Sequence, residues 1–189
     1  MALGLLIGIA GALSRTSGPR PVRWLAAGYV EVIRNTPLLV QLFLVFFGLP
    51  SLGLRLTAGQ AAVLALTVNL GAYATEIVRA GIQAIHRSQV EAGLSLGLSR
   101  LQVFRYVVLF PALTVIYPAL ASQFILLMLA TSIVSQISAR ELFHTAAFIE
   151  SRTFRSFEVY LVVTGMYLVL ALMFRALFGA IYYAAFHRR

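Results

Sequence analysis

The chain has 189 residues, of which 60% are hydrophobic and 11% charged, and its mean hydropathy is +0.90. Because soluble domains are about 45–50% apolar and about 25% charged, this composition excludes a soluble globular protein and leaves room for four to six membrane-spanning helices of about 20 residues. The chain lacks cysteine and lysine, which excludes disulfide frameworks and a lysine-containing phosphate loop, and its net charge of +9 indicates membrane topology rather than nucleic-acid binding.

Five unbroken apolar runs predict an all-α integral membrane protein with five transmembrane helices in a single domain over residues 1–189. Unbroken rather than alternating runs favour helices over the strands of a barrel. The runs cover residues 2–13, 38–49, 60–80, 107–137 and 159–186.

The first run is short for a membrane crossing. It reaches only about 18 Å at about 1.5 Å per residue, whereas the hydrocarbon core is about 30 Å thick. We expect a first helix at about residues 2–14 that has lost its outer turns. A signal peptide is the less favoured alternative, because no basic residue precedes the run.

The approach to the second run contains a predicted helix break. Thr36 is expected to cap a new helix with Pro37 at its first position, so the chain should break at Asn35 and Thr36 after an amphipathic segment along the inner membrane surface. Gln41, one turn into the crossing, either bonds a neighbouring helix or lines a solute pathway.

The third run contains an amide in its middle and a pair of charged residues near its cytoplasmic end. Asn69 lies in its middle, where an interhelical hydrogen bond and a solute contact are equally compatible with the sequence. Glu76 and Arg79 are three residues apart on one helix face and are predicted to form a structural ion pair rather than a gate.

The connection at about residues 86–100 predicts a compact helical loop. Ser88 with Glu91, and Ser99 with Gln102, are spaced as capping boxes, and Gly97 suits the left-handed residue that ends a helix. We expect a short helix, a tight turn and a helix returning to the membrane. This loop is a docking surface, an ordinary capped connection or an interfacial helix.

The fourth run supplies the remaining candidates for a solute pathway. Pro111 and Pro118 are expected to bend its helix or relax its backbone bonding. Ordinary helix packing is the alternative role for the polar side chains of this run, which are Gln123, Thr131, Ser132 and Gln136.

Arginine placement predicts the orientation of the bundle. The segments at residues 15–34 and 79–105 and the tail (Arg175, Arg188, Arg189) together carry eleven arginines, and the remaining connections carry four. By the positive-inside rule the N-terminus is expected outside and the C-terminus inside.

Glu91-Ala92-Gly93, followed by Gly97, resembles the EAA loop of ABC-importer permeases. Residues 29–41, 72–82 and 151–160 resemble the polar amino acid branch of that family, and the resemblance extends over roughly residues 3–186. It implies a permease subunit of an ATP-driven amino acid importer in the bacterial inner membrane.

The resemblance also implies partners. A second permease subunit, identical or related, would complete the pathway, and two ATPase subunits would bind ATP and Mg²⁺ and dock on Glu91, Ala92, Gly93 and Gly97. A periplasmic or lipid-anchored protein would deliver the solute. The chain itself is expected to hold no cofactor and no metal, and to bind no nucleic acid.

The chain departs from the family pattern at several positions. Gly93 stands where the branch has Ala, and Leu109-Phe110-Pro111 replaces Leu-Pro-Gln, which leaves open the angle at which the loop meets the fourth helix. Gln123 and Ala130 occupy positions where permeases for cationic amino acids would carry carboxylates. We therefore expect a neutral or acidic solute, or a site supplied by the partner subunit.

Catalysis within the chain is not predicted, because His86, His144 and His187 are far apart and the glutamates are scattered. A passive channel or ion-coupled carrier that uses Asn69 and Glu76 is the main alternative function. A structural membrane adaptor is the second alternative.

Overall fold

The computed structural model describes residues 1–186, and every regular element in that part of the chain is helical. The helices are α1 (Ala2–Ser17), α2 (Arg20–Arg34), α3 (Leu38–Phe43), α4 (Ala58–Gln83), α5 (Arg87–Ser95), α6 (Arg100–Val103), α7 (Phe110–Ala130), α8 (Leu142–Thr153) and α9 (Ser156–Phe186). A π-helical turn (Leu44–Gly48) and a 3₁₀ turn (Leu49–Leu52) extend α3; a π-helical turn (Phe104–Leu109) precedes α7 and a 3₁₀ segment (Thr131–Ile137) follows it.

Three helical segments of the described chain are long and apolar enough to cross a bilayer: α4, the continuous path Arg100–Ile137, and α9. One further candidate span is the pair formed by α2 and the helical path Leu38–Leu52, which are bent by 107° relative to each other. The first predicted span is α1, whose 16 residues extend about 24 Å.

Helix α4 is the centre of the bundle and contacts α1, α2, α3 and α7. Its contact with α1 is made through glycines that allow the two backbones to approach closely. A methyl group added at Gly4 would lie 2.8 Å from Leu70 Cδ2, and one added at Gly8 would lie 3.0 Å from the carbonyl carbon of Ala74. This contact fixes α1 against the most deeply buried part of α4.

The predicted break between α2 and α3 is confirmed, but the predicted role of Thr36 is wrong. Pro37 is the N-cap residue of α3, which begins at Leu38, and the Thr36 hydroxyl donates to the Val32 carbonyl at 2.7 Å. Thr36 therefore completes α2 instead of starting α3. The physical reason is that the residue before a proline is driven out of the helical conformation, so its side chain bonds backward.

Helices α7 and α9 pack as an antiparallel pair at one side of the bundle. The Tyr117 hydroxyl donates to the Phe178 carbonyl at 3.1 Å, and the rings of Phe124 and Phe178 are 6.0 Å apart. The assignment of Arg175 to a cytoplasmic tail is wrong, because this residue lies within α9. The other predicted tail residues, Arg188 and Arg189, lie outside the described residues, as does His187.

Pro111 does not interrupt the helical path Arg100–Ile137, which contains the fourth apolar run and is called the fourth span below. The π-helical turn Phe104–Leu109 leads directly into α7, and the helical path continues from Arg100 to Ile137. Because Pro111 lies at the start of α7, its missing N–H is accommodated by the wider turn that precedes it.

Candidate functional site

The loop between α4 and α7 begins with a cap that the sequence analysis missed. His86 is the N-cap residue of α5, and its Nδ1 accepts from the Ser88 backbone N–H at 3.3 Å. The predicted Ser88–Glu91 capping box is therefore wrong. His86 offers a competing acceptor two residues earlier, so α5 starts before Ser88 and Glu91 is free to face outward.

The end of α5 confirms the predicted role of Gly97. Gly97 has φ +80°, its N–H donates to the Leu94 carbonyl at 3.0 Å, and the Leu98 N–H donates to the Gly93 carbonyl at 3.2 Å. These two bonds form a Schellman motif, in which the last carbonyls of a helix are satisfied by a left-handed residue. The turn is thus closed by the backbone itself.

The helix that returns to the membrane starts with the predicted capping box of Ser99 and Gln102. The Ser99 N–H donates to Gln102 Oε1 at 2.8 Å, and the Gln102 N–H donates to Ser99 Oγ at 3.4 Å. Since both ends of the turn are capped, the loop from His86 to Gln102 has a defined shape without a partner.

Gly93 lies inside this loop, although the resemblance placed it among the residues on which the ATPase would dock. It is buried, and a methyl group added to it would lie 3.1 Å from Val103 Cγ2 and 3.4 Å from Val107 Cγ2. Gly93 therefore lets α5 pack closely on the returning helix. Its position on the inner face of α5 leaves Ala92, which is exposed, as the small residue of the outer surface.

The outer surface of the loop combines one carboxylate with large apolar side chains. Glu91 is exposed and lies 3.8 Å from Arg87, a pair too open to water to add much stability. Leu94, Leu96 and Leu101 are 43%, 81% and 76% exposed. Their exposure on a polar connection is typical of a protein contact surface. The sequence analysis did not single out Leu96 or Leu101.

Asn69 and Gln41 lie together in the contact between α3 and α4. Asn69 Nδ2 donates to Gln41 Oε1 at 3.0 Å, and Gln41 Nε2 donates to the Ile33 carbonyl at 2.7 Å. Both side chains are buried. This geometry matches the interhelical hydrogen bond that the sequence left open for these residues, and a solute could reach either amide only after the bond had opened.

Glu76 of α4 is bonded to two arginines, and one of them, Arg15, joins α4 to α1. It accepts from Arg15 Nη1 at 2.5 Å and from Arg79, its predicted partner on the same helix. The three side chains are 19–25% exposed, so the cluster is more protected than an ordinary surface ion pair. Arg15 was missed as a partner because it lies 61 residues away in the sequence.

The remaining pathway candidates on the fourth span do not converge on one cavity. Thr131 and Ser132 donate to the Met128 and Leu129 carbonyls at 2.6 and 2.9 Å. Thr131 also borders a cavity of about 170 Å³ between α4 and α7. Gln123 is half-buried and Gln136 is exposed.

Comparison with known proteins places nearly the whole chain in one family. The family described as "binding-protein-dependent transport system inner membrane component" matches residues 4–186. The probable glutamine ABC transporter permease protein GlnM of Bacillus subtilis is 38% identical over 172 residues, which are 91% of this chain and 80% of that protein.

A second relative and a solved structure agree with this match. The L-cystine transport system permease protein TcyB of Bacillus subtilis is 42% identical over 149 residues, which are 79% of this chain and 64% of that protein. A crystal structure of an amino acid ABC transporter with histidines has a TM-score of 0.89 and 41% identity to this chain. The match covers 96% of this chain and 85% of that one.

Proposed function

Because the chain belongs to the family of binding-protein-dependent transport system inner membrane components, we propose that it serves as one permease subunit of an ATP-driven amino acid importer in the bacterial inner membrane. In this function a second permease subunit completes the pathway and a solute-binding protein delivers the amino acid. Two ATPase subunits bind ATP and Mg²⁺ and drive the cycle.

The observation that carries this proposal is the self-capped loop from His86 to Gln102. A loop that transmits force between subunits must move as a rigid body, and this one is held by backbone and side-chain caps at both ends of its turn. Its exposed leucines provide an apolar contact surface for the ATPase. Glu91 and Ala92 lie on the outer side of α5, while Gly93 and Gly97 set the shape of the loop.

The test of this proposal is ATP-driven uptake by the assembled transporter in proteoliposomes, with labelled glutamine as the first probe. Ala92→Trp places a bulky ring on the docking surface, and we expect it to abolish coupling between ATP hydrolysis and uptake while the permease still folds. Ala176→Trp is the size-matched control, because Ala176 is exposed on α9, away from the loop. Normal uptake with Ala92→Trp would refute the docking role, and uptake by the chain without an ATPase would refute the function.

The proposed orientation places the N-terminus outside and the C-terminus inside, with five crossings. Its support is the excess of arginine around α2 and the α5 loop over the connections near residues 55 and 140–155. Because the chain has no cysteine, single cysteines at Ser51 and Ser88 can be labelled in intact cells with an impermeant thiol reagent. We expect Ser51→Cys to react and Ser88→Cys to react only after lysis; the reverse pattern would refute the orientation.

The proposed solute has an uncharged side chain. The fourth span carries an amide at Gln123 and a methyl at Ala130, so it offers no counter-charge for a cationic side chain at these positions. The two relatives described above are named for glutamine and cystine. We expect excess glutamine to compete with labelled uptake more strongly than excess arginine, and the opposite order would refute this assignment.

The proposed pathway is lined by the polar side chains of the fourth span rather than by Asn69 and Gln41, which bond each other in the α3–α4 contact. We expect alanine substitutions at Gln123 and Thr131 to raise the KM of uptake without lowering the amount of assembled transporter. Unchanged KM values in both variants would exclude these residues from the pathway.

A further inference from the structure

The side chain that caps the start of α5 is an imidazole, a group that can take up a proton. His86 Nδ1 accepts from the Ser88 backbone N–H at 3.3 Å and lies 2.7 Å from Ser88 Oγ. Because Nδ1 is the acceptor, the neutral ring carries its proton on Nε2. The His86 side chain is exposed, so protons reach it directly from the solvent around the loop.

Protonation of His86 removes this cap. Both nitrogens of an imidazolium are donors, so Nδ1 can no longer accept from the Ser88 N–H. The new Nδ1–H can donate to Ser88 Oγ, but the backbone N–H is left without its acceptor. The positive charge also lies at the N-terminus of a helix, where the helix dipole favours negative groups. Both effects destabilise the first turn of α5.

The charges around His86 do not offset a positive ring. Within the described residues, no carboxylate forms an ion pair with His86 at 4.0 Å or less. Glu91, the one carboxylate of α5, lies 3.8 Å from Arg87. The other charged residues of the elements that pack against α5, and of the last two turns of α4, are Arg100, Arg105, Glu76 and Arg79. Glu76 is itself bonded to two arginines, so the surroundings of the ring are basic.

Helix α5 is short enough to depend on its cap. It has nine residues, fewer than the about 12–15 that an isolated helix needs to be stable in water. Its C-terminal half is held by the Gly97 turn and by the packing of Gly93 on Val103. Fraying therefore starts at the N-terminal end, which leads to Glu91 and Ala92 on the proposed docking surface.

We propose that His86 is a pH-sensitive cap, which holds α5 at neutral pH and releases it when the surrounding solution becomes acidic. The stability that the cap provides is present when the ring is neutral and is lost as the pH falls through the range in which imidazole titrates, about pH 6.5. Fraying of α5 moves Glu91 and Ala92 and weakens the contact with the ATPase. The effect on the ATPase rests on the proposed function, whereas the change in α5 does not.

The first experiment measures hydrogen exchange in residues 87–96 of the purified permease. The protection of these amides relative to the unfolded peptide is compared at about pH 7.5 and about pH 5.5, on either side of the value for imidazole in water. We expect protection in the wild type to be about fivefold lower at the acidic pH, the size expected for the loss of one N-cap.

Three variants separate the cap from other effects of pH. His86→Asn retains a good cap that does not titrate in this range and should show no such fall in protection. His86→Ala has no cap and should show low protection at both pH values. His144→Asn removes an imidazole from α8 instead and should respond as the wild type does. An equal fall in the wild type and in His86→Asn would overturn the proposal.

The second experiment measures the Kd of the ATPase for the permease at the same two pH values. Any pH dependence of the ATPase itself is common to all variants. We expect the affinity of the wild type to fall about fivefold more than that of His86→Asn, as for the loss of one cap. Equal losses of affinity would overturn the effect of the cap on docking.

The two experiments also separate this proposal from the proposed function. If the ATPase bound neither the wild type nor His86→Asn at neutral pH, the proposed function would fail, while hydrogen exchange in α5 would still decide whether His86 is a pH-sensitive cap. Binding of the ATPase with no difference in hydrogen exchange between these two proteins would leave the proposed function standing and overturn the cap.

Discussion

The contact between α1 and α4 predicts that Gly8→Ala destabilises the bundle. A methyl group at this position would overlap the Ala74 methyl and would lie 3.0 Å from the Ala74 carbonyl carbon and 3.1 Å from the Thr75 backbone nitrogen. Carbon atoms in favourable contact are about 3.5–4.0 Å apart. Because the obstructing atoms include helix backbone, no rotamer change relieves the overlap, and α1 must move away from α4.

Two opposing effects set the size of this destabilisation. Overpacking of a tight contact costs about 1–3 kcal/mol, and the higher helix propensity of alanine returns up to about 1 kcal/mol. We therefore expect Gly8→Ala to lower stability by about 1–2 kcal/mol. Gly165 on α9 has no heavy atom within 4 Å of the position of an added methyl. Gly165→Ala should therefore raise stability, because it adds the higher helix propensity of alanine without any overlap.

The assay is thermal unfolding of the purified protein in detergent, with wild type and both variants under identical conditions. The two substitutions should shift Tm in opposite directions, by about 2–4 °C for each kcal/mol in a chain of this size. If Gly8→Ala raised Tm as Gly165→Ala does, the close approach of α1 to α4 would be wrong.

Three further substitutions test other contacts. Gly97→Ala should lower the free energy of unfolding by about 1–2 kcal/mol, because it places a side chain at positive φ. It should also reduce the amount of ATPase that co-purifies with the permease. An unchanged amount of ATPase would contradict the role of Gly97 in setting the shape of the loop. Asn69→Leu should lower the free energy of unfolding by about 1–3 kcal/mol, because it leaves the Gln41 amide oxygen buried without its donor. Gln41→Leu should be less destabilising in the Asn69→Leu background than in the wild type. Tm shifts that simply add in the double variant would argue against the bond. Glu76→Gln should weaken the link between α1 and α4 and make Tm less dependent on salt, since the ion pair with Arg15 is lost. The same salt dependence of Tm in wild type and variant would refute a stabilising role for this ion pair.

Features that depend on neighbouring residues alone were predictable from the sequence. The stop at Gly97 and the capping box of Ser99 and Gln102 are confirmed, because glycine at a left-handed position and paired caps act within one turn of helix. The Ser88–Glu91 box was wrong because two caps competed within three residues, and spacing alone could not rank His86 above Ser88.

Features that depend on tertiary contact were not predictable. The sequence gives no indication that Gly93 faces Val103 rather than solvent, because that depends on the angle between α5 and the returning helix. The partnership of Arg15 with Glu76 joins residues from different helices. Arg175 was counted with the tail arginines although it lies within α9, because the order of residues does not show that the helix has an open groove beside this position.

The packing of α1 has a consequence for how the chain is made. Its glycine face is shaped for α4, which begins about forty residues later in the sequence. During translation α1 is therefore made well before α4, and its glycine face must be shielded by other contacts until α4 is available. The order of synthesis thus means that α1 can dock in its final place only after α4 has been made.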